Sequence, residues 1–178
     1  MSKFKIKNTI YHGTIADIDN IDLTVGRGYK DFGKGFYLAY DKAQSIGIIN
    51  KNYKIALKRK YSNITKNLYA FDTSQNELEK CKVKVFNSAD IEWLDFILMC
   101  RKSSDTPHDF DVVIGPTADD DTSLCLNMYS EGVYGSVGSE EAKQTLLRNL
   151  EVENLGTQVF IGTKKGLSIL CNKRRVDI

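Results

Sequence analysis

Short β-branched and aromatic runs punctuated by glycine dominate this chain, and only a few stretches repeat with helical spacing. Residues 8–12 read as a strand ended by Gly13, and residues 35–40 as a second strand. Further strand candidates cover residues 53–57, 68–72, 83–86, 111–115 and 158–161. Residues 17–29, with acidic, glycine and threonine punctuation, read as loop. Helices are marked by their caps. Asp41 suits the N-cap of a helix running toward residue 49, which Gly47 weakens by about 1 kcal/mol relative to alanine. Ser88 is expected to cap the clearest helix, with Asp90 and Glu92 in its first turn and Ile91, Leu94, Ile97 and Leu98 on one apolar face. Ser139 should cap a helix over residues 140–150 that turns Leu146, Leu147 and Leu150 inward. Thr163 should cap a last short helix ending near Asn172. Strands outnumber helices without alternating regularly with them, which favours an α+β fold over a doubly wound sheet.

Only Pro107 and Pro116 are prolines, and no linker or internal repeat divides the 178 residues. A single domain over residues 1–178 is the expectation, large enough to bury a real core. A composition 42% hydrophobic and 27% charged fits a globular chain and excludes a disordered one. The net charge of +2 is too small to argue for nucleic acid or membrane by itself. Lys58-Arg59-Lys60 and Lys173-Arg174-Arg175 read as solvated strand ends and a charged tail. Cys81, Cys100, Cys125 and Cys171 lack zinc-ligand spacing, and the chain has only two histidines. No apolar run reaches the ~20 residues that span a bilayer, and the N-terminus has no signal-peptide core. These features predict a cytoplasmic protein with reduced cysteines and no membrane partner. Asp111 and the run Asp119-Asp120-Asp121 could collect magnesium, but three acids in a row read as solvated turn chemistry, so no metal is expected.

The candidate chemistry lies near the start. Residues 28–35 match the phosphate-loop pattern through Lys34, but Gly35 replaces the hydroxyl residue that would hold magnesium, and a strand follows in place of a helix. The glycines at 26, 28, 33 and 35 therefore read as turns or as close approach of backbone to a ligand. His12 ends a strand beside Gly13, whose bare main chain could meet a planar amide. In residues 36–39, Phe36 and Leu38 should point to one side and Tyr37 and Ala39 to the other.

Tyr11-His12-Gly13-Thr14, followed by Asp31-Phe32-Gly33-Lys34-Gly35-Phe36-Tyr37-Leu38-Ala39, resembles the NAD-binding core of the H-Y-E class of ADP-ribosyltransferases. That class includes diphtheria-toxin-like and poly-ADP-ribose-polymerase-like enzymes. The likeness extends to a bacterial family of that superfamily through residues 89–96, 111–116 and 157–160. The resemblance implies a split β-sandwich of two small sheets flanked by helices. It also implies transfer of ADP-ribose from NAD to a protein or nucleic-acid acceptor, with release of nicotinamide. His12 would bond a ribose hydroxyl of NAD, with Thr14 assisting, and Gly13 would meet the nicotinamide carboxamide. Tyr37 would stack on the ring with its phenol free for a polar contact, on a strand adjacent to that of His12 and facing the same pocket. Gly35, Phe36 and Ser45 complete the binding set. Ile48 stands where relatives carry a second stacking aromatic, which Tyr40 could replace. Arg27 could meet the pyrophosphate.

The catalytic acid of the class falls on Gln158, which can position a ribose but adds no charge, so the triad reads H-Y-Q. Glu151 and Glu153, just upstream in an expected loop, form a Glu-x-Glu pair. Three functions follow from the resemblance: a transferase, a non-catalytic module that binds NAD or ADP-ribose, and an NAD glycohydrolase. A small bacterial enzyme of this kind suggests a toxin or defence effector by analogy, for which a cognate antitoxin would be a partner.

Overall fold

A computed structural model describes residues 4–118, 120–150 and 155–178. Its strands are β1 (Thr9–Thr14), β2 (Phe36–Ala39), β3 (Asn67–Thr73), β4 (Val83–Val85), β5 (Val112–Pro116), β6 (Thr157–Ile161) and β7 (Leu170–Val176). Its helices are α1 (Lys42–Lys58), α2 (Gln75–Leu78), α3 (Ile91–Arg101), α4 (Asp120–Ser130), α5 (Glu140–Asn149) and α6 (Lys164–Leu167), with a 3₁₀ turn at Leu23–Val25. The fold is α+β, as expected. The strands form one seven-stranded sheet in the order β4-β5-β6-β2-β1-β3-β7, where two separate small sheets were anticipated. Among the described residues only β4 and β5 pair in parallel. The centre is thin: β1 and β2 share the single registered pair Tyr11 and Ala39, whereas β1 and β3 share six.

Alternation along the strands sorts the core into two layers. Ile10, Phe36, Leu38, Val112, Ile114, Val159 and Ile161 join one cluster, beneath the N-terminal segment, the 15–25 connection and α2. Val113 and Phe160 join the other, with Phe32, Trp93, Leu94, Ile97, Leu126 and Leu146 from the preceding loop, α3, α4 and α5. Helix α1 lies on this second face, against β1.

Three expected N-caps hold. Asp41, Ser139 and Thr163 accept from the main-chain N–H of Ala43, Ala142 and Gly166. The fourth moves two residues: Asp90 caps α3 by accepting from Trp93 N at 3.0 Å, while Ser88 only bonds Asp90. The strand expected at 53–57 lies inside α1, because Ser45, Ile49 and Ala56 recur on one helical face and bury against the sheet. Gly47 does not stop this helix, which runs on to Lys58 because its buried face outweighs the glycine's cost of about 1 kcal/mol. Strand β1 runs through Gly13 to Thr14 instead of ending at the glycine.

The segment expected to end a helix near Asn172 pairs as β7 along the edge of β3. Its polar run hides a strand whose ties are cross-strand bonds, Arg174 to Asp72 and Arg175 to Asn67. Helix α4 starts inside the acidic run read as loop; Asp119 itself lies outside the described residues. Asp111 is structural, accepting from Lys82 N and Thr163 Oγ1. All four cysteines are unbridged. Among the described residues no helix is long and apolar enough to cross a membrane.

The shifted cap generates a direct test. Asp90→Ala should cost about 1 kcal/mol in urea unfolding, whereas Ser88→Ala should change stability by a few tenths. Equal costs would mean that Asp90 is not the cap.

Candidate functional site

The thin centre of the sheet is closed by a side chain in place of a ladder. His12 Nδ1 donates to the Tyr37 carbonyl at 2.7 Å, bridging β1 to β2 just beyond their one registered pair. A carbonyl only accepts, so the proton is on Nδ1, and Nε2 is left as an acceptor with no protein partner among the described residues. The imidazole stacks on Phe36, with ring centroids 4.3 Å apart. Burial, foremost, keeps the His12 pKa below its ordinary 6.5; the Tyr37 carbonyl opposes this, and the charge of Lys30 adds to it.

His12 and Tyr37 sit on neighbouring strands, but they do not face one pocket. Register places His12 on the side of Phe36 and Leu38, whereas Tyr37 lies across from Gly13 on the opposite face. The two residues meet through main chain, and their expected shared pocket is overturned by strand alternation. Tyr40 and Thr14 fall on the His12 side, Tyr40 packing against the first core cluster and Thr14 Oγ1 accepting from Ala16 N.

Tyr37 shares its face with Ser45 of α1 and with Gln158. Its phenol is not free: it accepts from Phe32 N at 3.1 Å and donates to Gly33 O at 2.7 Å, and burial holds its pKa well above the ordinary value. The ring meets Phe160 edge-on, and Lys30 Nζ lies 5.0 Å over it. Desolvation lowers the Lys30 pKa, Asp31 opposes this, and the nearby Arg27 guanidinium adds to it. Arg27 and Lys30 thus gather positive charge at the mouth of the loop before β2, both exposed to solvent. Ser45 Oγ donates to Tyr11 O at 3.3 Å.

The glycines serve packing more than ligand approach. A Cβ on Gly13 would stand 2.3 Å from Ser45 O, and one on Gly35 would stand 2.4 Å from Ile161 O. One on Gly28 would stand 2.1 Å from Ser104 O. Helix α1 and strand β6 occupy the space that the sequence reading left for NAD.

Sequence reasoning missed the polar centre of this face. Asp31 is buried, and Arg101 at the end of α3 gives its Oδ1 two bonds, from Nε at 2.9 Å and Nη2 at 2.7 Å. Its Oδ2 accepts from Ala118 N at 3.1 Å and from Gln158 Nε2 at 2.8 Å. Gln158 also donates to Pro116 O, 3.3 Å away. Asp31 stood in the quoted motif, but its partners lie 70 and 127 residues away, so no local spacing announces them. Glu151 and Glu153 lie outside the described residues. A cavity of about 310 Å³ opens beside Pro116, lined by residues 86–89 with Leu155 and Thr157, and among the described residues its lining carries no charged side chain.

Residues 8–171 match the family described as "Protein of unknown function (DUF3990)", and the chain belongs to that family. No curated protein and no solved structure matches it.

Both histidines are held neutral. Burial also lowers the pKa of His108, which donates from Nε2 to Phe32 O. Between the folded values and the ordinary 6.5, the unfolded chain binds the extra protons, so stability is complete above about 6.5 and falls as pH drops below it. The urea midpoint should therefore fall between about pH 7.5 and about pH 5.5, and His12→Gln should flatten that fall. A midpoint unchanged across this interval would place the His12 imidazole in water.

Proposed function

We propose that this DUF3990 protein is an ADP-ribosyltransferase that moves ADP-ribose from NAD to a macromolecular acceptor and releases nicotinamide. The sheet would then be a version of the transferase fold, its β4-β5-β6-β2 half and its β1-β3-β7 half meeting at the cleft. The observation that carries the reading is the seam itself. Beyond Tyr11 and Ala39 the ladder lapses, and Gly13 faces Tyr37 across it without a registered pair. A main-chain N–H and C=O at such a gap would match a carboxamide, which needs one donor and one acceptor. The Nε2 of His12 can accept a ribose hydroxyl on one face of the gap, and on the opposite face, beside Tyr37, Arg27 with Lys30 supplies charge for a pyrophosphate.

In the reaction, the bond between C1′ of the ribose and the nicotinamide nitrogen breaks. Its electron pair neutralises the pyridinium. An acceptor lone pair forms the new bond at C1′, and the acceptor's proton passes to solvent. The positive charge that develops on the ribose would be steadied chiefly by positioning. Gln158 is uncharged, and the carboxylate behind it, Asp31, is largely neutralised by Arg101.

That arrangement also favours a second reading, a module that binds NAD without turning it over. Both donors of the Gln158 amide already serve Asp31 and Pro116, and Lys30 occupies one face of the Tyr37 ring.

Nicotinamide release from NAD by the purified protein separates enzyme from binder, and labelled NAD with cell lysate separates transfer from hydrolysis. For a transferase, Gln158→Ala should lower turnover about 10²–10³-fold with NAD affinity nearly intact. Gln158→Glu should destabilise the fold by about 2–4 kcal/mol, because it sets a second carboxylate against Asp31 in a buried site. No NAD binding at millimolar ligand would eliminate both readings, and full activity of Gln158→Ala would remove Gln158 from the site.

A further inference from the structure

Between Asp41 and Asp72 the chain has no acidic residue and seven lysines and arginines, although the whole protein carries only +2. Most of this charge rides on α1 and the turn that follows it. At 100° per residue, Lys51, Lys54 and Lys58 fall on one stripe, opposite the Ser45, Ile49 and Ala56 stripe that buries against the sheet. Among the described residues, Lys54, Lys58, Arg59 and Lys60 enter no ion pair. Lys60 holds a positive φ of 57° just past the helix end, where glycine is usual. Keeping a charged side chain there costs about 1–2 kcal/mol in backbone conformation. Tyr61 follows, with 55% of its surface exposed.

The fold also aims this charge. Ile49 packs on Gly13, and Asn50 accepts from Lys66, which immediately precedes the last β1–β3 pair, Thr14 with Asn67. The nine residues after Ile49 therefore carry α1 about 13 Å past Gly13, off the same end of the sheet at which the β1–β2 seam opens.

We infer that the overhanging end of α1, with Lys54, Lys58, Arg59, Lys60 and Tyr61, is a nucleic-acid binding surface. Lys54 and Lys58 stand about 6 Å apart along the helix axis and can engage successive phosphates, and an exposed tyrosine beside them offers a stacking face for a base. Placed beside the seam, this surface makes nucleic acid the acceptor class of the reaction proposed above. That last step rests on the transferase reading; the binding itself does not.

The test is fluorescence anisotropy with a labelled single strand of about 20 nucleotides and the matching duplex, in the absence of NAD. Four phosphate contacts predict a slope of log K against log salt near −3 for the single strand, so affinity should fall about 50-fold between 50 and 200 mM salt. Lys54→Glu/Lys58→Glu/Arg59→Glu should abolish binding while keeping the wild-type melting profile. Lys54→Gln/Lys58→Gln/Arg59→Gln should weaken it by a smaller factor. Lys5→Glu/Lys102→Glu/Lys164→Glu, with the same change in net charge, should bind within threefold of wild type. No binding at 50 mM salt, an equal loss in this control, or binding to anionic vesicles but not to nucleic acid would each overturn the inference. Because NAD is absent, failure of the transferase reading leaves the outcome unaffected.

Discussion

The buried carboxylate of Asp31 is the constraint on which the centre of this protein depends. Four hydrogen bonds converge on it, from the end of α3, the connection after β5 and strand β6. A carboxylate this deep is tolerable only because Arg101 matches its charge and N–H donors fill its remaining lone pairs. Removing one partner of such a pair typically costs about 3–5 kcal/mol, a large share of the stability of a domain this size. The loop before β2 is anchored at this point. It then presents Phe32 and Gly33 to the phenol of Tyr37, so the position of Tyr37 depends on Asp31.

The other fixed point is the His12 to Tyr37 contact. In a sheet whose halves share one registered pair, an imidazole that donates to a carbonyl replaces the missing ladder bond. It needs a proton on Nδ1, and burial keeps the rest of the imidazole neutral. The opening therefore stays narrow, while the main chain of Gly13 lacks a registered partner in β2. The close fit of Gly13 under α1 ties the same opening to the helix, whose far end carries the basic overhang.

Much of the scaffold was legible locally. Period-two runs located β1, β2, β3, β4, β5 and β6, and Asp41, Ser139 and Thr163 marked helix starts, because alternation and capping depend on neighbours in the chain. Where local and tertiary terms compete, the tertiary term won. Tyr53 to Leu57 has strand-like composition, yet burying Ile49 and Ala56 against the sheet keeps it helical. β7 exposes most of its side chains and so shows no apolar alternation; it exists because the edge of β3 supplies hydrogen-bond partners.

The site divides in the same way. The sequence alone determined the α+β class and which residues of β2 share a face, since these follow from run length and a period of two, while the adjacency of the His12 and Tyr37 strands was implied by the family resemblance. Only the tertiary structure decided that His12 and Tyr37 point to opposite faces, because that depends on how β1 registers against β2. It alone decided that the glycines admit a helix and a neighbouring strand, that Gln158 answers to Asp31, and that the lysines of α1 project past the seam. Each of these joins residues tens of positions apart, and the energy that sets them is burial and pairing across that distance, which no local pattern encodes.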